Sequence, residues 1–168
     1  YRRITAPNGD SIILYYGQSG VGKTSLLEAG LIPRLEQVRT VCYARRDQAR
    51  GLVGTLAAAI SLPGPIDDLN QYRLHWLAIE AEKGKPFCVL LDQIEEVYTR
   101  PAGTSAEEFG AFLDVLDAIF YQLDTRPKGR LVLSFRKEWL AEIETRLAER
   151  RLLAERVFVE RLSKRGVI

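Results

Sequence analysis

Histidine is almost missing from this sequence. His75 is the only one in 168 residues, and it lies between Leu74 and Trp76 on a stretch with helical spacing, where a packed or half-exposed ring is expected. Cysteine is nearly as scarce. Cys42 and Cys88 are too few for a disulfide framework, and with one histidine they leave too few ligands for a zinc centre. Each sits in a short apolar or β-branched run, as buried free thiols of a reducing compartment do, so the expected location is cytoplasmic. No run approaches the ~18 apolar residues that a membrane span requires, and no signal peptide is visible. A large charge of one sign is also absent. The formal net charge is +2, too small to argue for nucleic acid or an anionic membrane. The basic residues lean towards 126–165, but interleaved acids make that stretch read as a solvated helix face. The first residue is Tyr1, not Met, so the sequence is expected to be part of a longer protein.

Apolar residues make up 46% and charged residues 27%, which fits a folded domain rather than a disordered chain. The apolar period switches between strand and helix along the chain. Strands are expected at 11–16, 39–44, 87–92, 130–135 and 156–159. Helices are expected at 23–35, at 50–61 before the Pro63-Gly64-Pro65 breaker, and at 67–83, capped by Asp67 or Asp68 and closed by Gly84. A further helix starts at a capping box of Ser105 and Glu108 and runs to about 123. Leu140, Ile143 and Leu147 mark one face of a last one. Such alternation predicts an α/β fold, a parallel five-stranded sheet with helices on both faces. Ligands of such sheets bind outside the carboxyl ends of the strands, so the informative residues should follow the strands.

They do. After the first strand comes Gly17-Gln18-Ser19-Gly20-Val21-Gly22-Lys23-Thr24, a P-loop followed by Ser25 at the helix start. Gly20 and Gly22 permit backbone shapes that a side chain would block, so the loop amides and the helix N-terminus can face phosphates. Lys23 should reach the β- and γ-phosphates and Thr24 should bind magnesium. The third strand ends on Asp92, a carboxylate for magnesium placed beside the P-loop. Gln93 follows and is a poor base, which leaves Glu95 or Glu96 to orient the attacking water. Arg136 follows the fourth strand and is expected on the γ-phosphate. Arg45 and Arg46, after the second strand, are further candidates for that edge. The implied ligands are ATP or ADP with Mg2+.

No Asn-Lys-x-Asp sequence is present to read guanine, no Leu-Ser-Gly-Gly-Gln-like signature marks an ABC-type ATPase, and no Arg-rich lid suggests a small-molecule kinase. The runs GQSGVGKTSLLEAGLIPRL from Gly17, VLLDQIEEVYT from Val89 and RLVLSFRKEWL from Arg130 resemble the STAND class of signal-transduction NTPases, specifically its bacterial "novel STAND" branch. The resemblance covers nearly all of residues 1–168, as one NTPase core. It implies the ASCE type of P-loop fold with strand order 5-1-4-3-2, Asp92 as the Walker B acid and Arg136 as a sensor. It further implies a switch in which ATP permits a homo-oligomer that activates effector domains, with sensor domains on the same chain or on partners, often in defence against phage. Where relatives carry a proline that contacts adenine, this chain has Glu160 and Arg161. Two alternatives stay open: a non-hydrolysing, nucleotide-dependent assembly scaffold, and an AAA-like ATPase acting on DNA.

Overall fold

The computed structural model describes residues 1–63 and 66–160. A short helix α1 (Arg2–Thr5) precedes β1 (Ile12–Gly17), the P-loop and α2 (Lys23–Ser25). After a π-helical stretch at Leu26–Leu31 come α3 (Ile32–Leu35), β2 (Thr40–Arg45), α4 (Gly51–Ala59) and α5 (Asn70–Lys83). Then follow β3 (Phe87–Asp92), α6 (Glu96–Thr99), α7 (Ser105–Phe120), β4 (Arg130–Arg136), α8 (Leu140–Glu149) and β5 (Ala154–Val159). The strands form one sheet in the order β2-β3-β4-β1-β5, the expected order read from the other edge, and every pairing is parallel.

Period-two alternation divides the strand side chains between two layers. Ile12, Leu14, Val89, Leu91, Leu131 and Leu133 face α4, α5, α7 and α8, where Leu52, Leu56, Trp76, Phe112 and Ile143 close the larger core. Ile13, Tyr15, Leu90 and Val132 face the P-loop helix and α1, where Leu27, Leu35 and Ile4 cover them. The central strand β3 is buried throughout, as a strand covered on both faces must be. Trp76 anchors the thicker layer through edge-on contacts with Phe87 and Phe120, at centroid separations of 5.2 and 5.4 Å.

Four local expectations shift. The helix after the P-loop is not continuous but widens into the π-stretch. Pro33 has no N–H to offer the carbonyl four residues back, and its ring would press on it; the wide turn, in which Ile32 N–H reaches the Leu27 carbonyl, takes up the misfit. The capping box lies one residue early: Thr104 Oγ1 accepts from Glu107 N–H and donates to Glu107 Oε2 at 2.8 Å. Helix α5 begins at Asn70 with no side-chain cap, while Asp68 Oδ1 accepts from the Asn70 amide in the turn before it. Finally β5 starts at Ala154 rather than Arg156, because Ile12, Ile13 and Leu14 of β1 give Ala154, Glu155 and Arg156 partners.

Candidate functional site

β1, β3 and β4 end at the same edge, and the residues that follow them enclose a cleft of about 470 Å³. Ser19, Gly20, Gly22, Lys23, Thr24 and Ser25 form its floor. Gly20 and Gly22 hold φ of 76° and 84°, left-handed values that other residues adopt only under strain. Gly17 answers a different demand: a Cβ there would meet the Val159 carbonyl oxygen at 2.6 Å, so β5 could not pack so closely on β1. Gly17 and Gln18 do not line the cleft; their carbonyls accept from Lys23 Nζ at 3.2 and 3.1 Å. Val21 packs against the apolar layer beneath the loop.

Asp92 is buried at the end of β3. Its Oδ2 accepts from the Thr24 hydroxyl at 2.6 Å and from the Tyr43 hydroxyl at 3.0 Å. Its Oδ1 accepts from the Gln93 amide at 2.9 Å, which requires Gln93 to adopt φ of 60°. That left-handed turn costs about 1 kcal/mol for a residue with a side chain. It redirects the chain so that Ile94 N–H reaches the Ser134 carbonyl of β4 at 3.1 Å, which sets Glu95 beside Arg136.

The two candidate glutamates part company here. Glu95 is buried, its Oε1 lies 3.5 Å from Arg136 Nε, and its Oε2 is shut off from solvent without a hydrogen-bond partner. Burial raises its carboxyl above the ordinary glutamate range; its own amide, Arg136 and Lys23 pull it back, and Asp92 adds to the rise. Glu96 instead holds Arg45 Nη2 at 3.3 Å on the rim. Arg136 projects into the cleft with its side chain 56% exposed, so a ligand can reach it, and its partner is Glu95 rather than Glu138 or Glu142.

Of the two arginines after β2, only Arg45 lines the cleft. Arg46 turns inward: Nε and Nη2 form a buried fork on Glu108 at 2.8 and 2.7 Å, and Nη2 also donates to the Arg100 carbonyl. Sequence reasoning missed Tyr43, whose aromatic ring on a strand reads as core. It also missed Trp139, which lines the cleft and stacks on Tyr98 with 4.4 Å between centroids. Its place three residues after Arg136 was the available signal. Glu160 ends the described segment, and Arg161 lies outside the described residues.

The donor set suits a magnesium nucleotide. The Lys23 ammonium and the glycine loop line the cleft where phosphates would sit, and the Thr24 hydroxyl and Asp92 carboxylate sit together as hard oxygen ligands. Thr24 and Asp92 are the residues that could hold the metal. The family model for Novel STAND NTPase 1 matches residues 2–167. The chain belongs to that family. This STAND domain is thus a nucleotide-binding NTPase domain. Among curated proteins none matches it in sequence. It is similar in fold to the ORC2 protein of Aeropyrum pernix in its ADP form, with TM-score 0.56, 15% identity, and 94% of this chain against 44% of that one covered. The ADPNP-ADP complexes of the same protein give TM-score 0.55, 16% identity, and 94% and 43%. The STAND domain therefore spans less than half the length of those chains. Among the described residues no helix is long and apolar enough to cross a membrane.

Proposed function

We propose that this domain binds ATP in the cleft, hydrolyses it, and reports the difference between ATP and ADP to the rest of its protein as a regulatory switch. The observation that carries the reading is one shared geometry. The Thr24–Asp92 pair, the Lys23 ammonium, the buried Glu95 carboxyl and the Arg136 guanidinium all face a single cleft.

The loop amides and Lys23 bind the phosphates, and Thr24 and Asp92 would hold Mg2+. Magnesium, when bound, neutralises charge on the β- and γ-oxygens. Tyr43 keeps Asp92 oriented: burial and the adjacent carboxylate push its hydroxyl well above the ordinary tyrosine range, so it remains a donor. Glu95 takes the proton of the attacking water, a role suited to a carboxyl held above its ordinary range. Arg136 supplies positive charge to the γ-phosphate and gives up Glu95 as it does so. A contact made with ATP and not ADP is what a population shift needs. Oligomerisation of the ATP form, effector and sensor domains, a part in defence, and a cytoplasmic setting complete the proposal, supported by membership of the STAND family.

The test is phosphate release together with calorimetry for wild type, Lys23→Ala and Glu95→Gln. Wild type should bind both magnesium nucleotides and release phosphate. Lys23→Ala should bind neither, and Glu95→Gln should bind but not turn over. Absence of binding by the folded wild-type protein refutes the proposal; binding with no turnover in any variant assigns the scaffold role instead.

A further inference from the structure

We propose that the opposite end of the sheet carries a second anion site, built for a phosphoryl group on a small molecule. Arg39 immediately precedes β2 and Arg130 opens β4. With Arg126 and Lys128 from the loop between α7 and β4, they line one cavity of about 620 Å³, and Asp124 is the one acid in its lining. Strands of six and seven residues separate this cavity from the nucleotide cleft, roughly 20 Å at the rise of a β-strand. A ligand here does not touch the P-loop.

The two arginines are the unusual feature. Arg39 is 7% exposed and Arg130 is 4% exposed. Nε and Nη1 of Arg39 and Nε of Arg130 are closed off from solvent without any acceptor. The remaining nitrogens of Arg130 donate to the neutral carbonyls of Ala6, Gly9 and Asp10. Among the described residues neither arginine forms an ion pair with a carboxylate. They are close enough to act on each other: burial first, then Arg39 and Arg126, holds the Arg130 guanidinium below its ordinary value. Asp10 and Glu155 offset part of the charge on Arg130, but neither forms an ion pair with it, and buried guanidinium donors without acceptors call for a closer counter-charge.

The number of cations selects the class of anion. A carboxylate brings one charge and two oxygens, whereas a phosphoryl group brings up to two charges and three acceptor oxygens that fit guanidinium forks. The cavity has room for more than orthophosphate, which favours a phosphorylated small molecule or pyrophosphate.

The experiment uses the chain with Lys23→Ala, so that the P-loop does not compete, and reads thermal stability against added anion. Orthophosphate, pyrophosphate and glucose 6-phosphate are compared with glutarate and with sodium chloride at matched ionic strength. Pyrophosphate and the phosphomonoester should raise the melting temperature in a saturable way, as ligands of the native state do. The partly exposed pair Arg126→Gln/Lys128→Gln should fold and weaken the apparent affinity at least tenfold, and Arg39→Gln should weaken it further. Glucose 6-phosphate tighter than orthophosphate identifies an organic phosphate as the occupant; equal affinity identifies the inorganic ion. A shift no larger than that with chloride, or one unchanged in the double variant, overturns the site. Glutarate binding as tightly as pyrophosphate overturns the phosphoryl class. Because Lys23 is already removed, none of these outcomes depends on the ATPase reading.

Discussion

Replacing Glu108 by alanine should destabilise the domain more than any surface change. Glu108 is 8% exposed, yet its two oxygens accept four hydrogen bonds. Oε1 takes Arg46 Nε and the Leu52 amide, each at 2.8 Å, and Oε2 takes Arg46 Nη2 and the Ala102 amide, each at 2.7 Å. The carboxylate thereby ties the end of β2, the start of α4 and the start of α7 into one unit. Arg46 N–H also donates to the Asp92 carbonyl at 3.0 Å, so the tie reaches the backbone of the nucleotide site. Truncation leaves a buried guanidinium without its counter-ion, which costs about 3–5 kcal/mol, and strips two buried amides of their acceptor. Against a total stability of roughly 5–15 kcal/mol that is a large share. At ~2–4 °C per kcal/mol for a chain of this size, the melting temperature should fall by about 10 °C.

Urea unfolding at neutral pH measures this directly. Arg46→Met combined with Glu108→Leu should recover most of the loss, since removing both charges leaves neither one buried alone. The pH dependence gives an independent check. Burial would raise the Glu108 carboxyl, but the Arg46 hydrogen bonds and the Ala102 and Leu52 amides outweigh it and hold it below its ordinary value of 4.5. Its contribution is therefore complete above that value and is lost as pH falls through the depressed folded value. Wild type should lose stability over that acid window and Glu108→Ala should lose less. A single variant within about 1 kcal/mol of wild type, or a double variant as unstable as the sum of the singles, would refute the reasoning.

Arg136→Ala should weaken discrimination between magnesium-ATP and magnesium-ADP more than it weakens binding of either; equal loss for both by calorimetry counts against a γ-phosphate contact. Tyr43→Phe removes one of two hydroxyl donors to Asp92 Oδ2 and should reduce magnesium-nucleotide affinity by about three- to tenfold, with unchanged affinity as the contrary result. Because burial raises the Glu95 carboxyl, turnover should decline as pH falls through that raised value. For the same reason stability declines as pH rises from 4.5 through it, so Glu95→Gln should melt higher than wild type at pH 8 and lose that advantage below pH 4.5. A variant less stable than wild type at pH 8 contradicts the assignment.

Much of this was legible because the P-loop and the strands declare themselves locally. The apolar run ending at Asp92 could only be a covered strand, and a parallel sheet then brings Asp92 to the P-loop edge. The failures have a common cause in contacts distant along the chain. Thr104/Glu107 and Ser105/Glu108 both satisfy the capping pattern, and what decides between them is Arg46, 62 residues from Glu108. Once Glu108 is held by that guanidinium, Glu107 is the acid left to cap. Tyr43 reads as core because its hydroxyl finds a use only when β2 lies beside β3 in the register that pairs Tyr43 with Leu90.

The choice between Glu95 and Glu96 shows the same limit more sharply. Neighbouring residues on a forming helix point in different directions, so one of the pair had to face the cleft interior and the other the rim. Which one did depends on Gln93. Its left-handed φ of 60° is strained for a glutamine and leaves no mark in the residue pattern. The strain is held in place by the Gln93 amide on Asp92 and by the Ile94 amide on the Ser134 carbonyl. Rotating that turn would carry Glu95 out of reach of Arg136 and break the hydrogen bond from the Gln93 N–H that orients Asp92. The Glu95 and Asp92 carboxyls are thus fixed by one backbone kink, and a change at Gln93 should disturb both together.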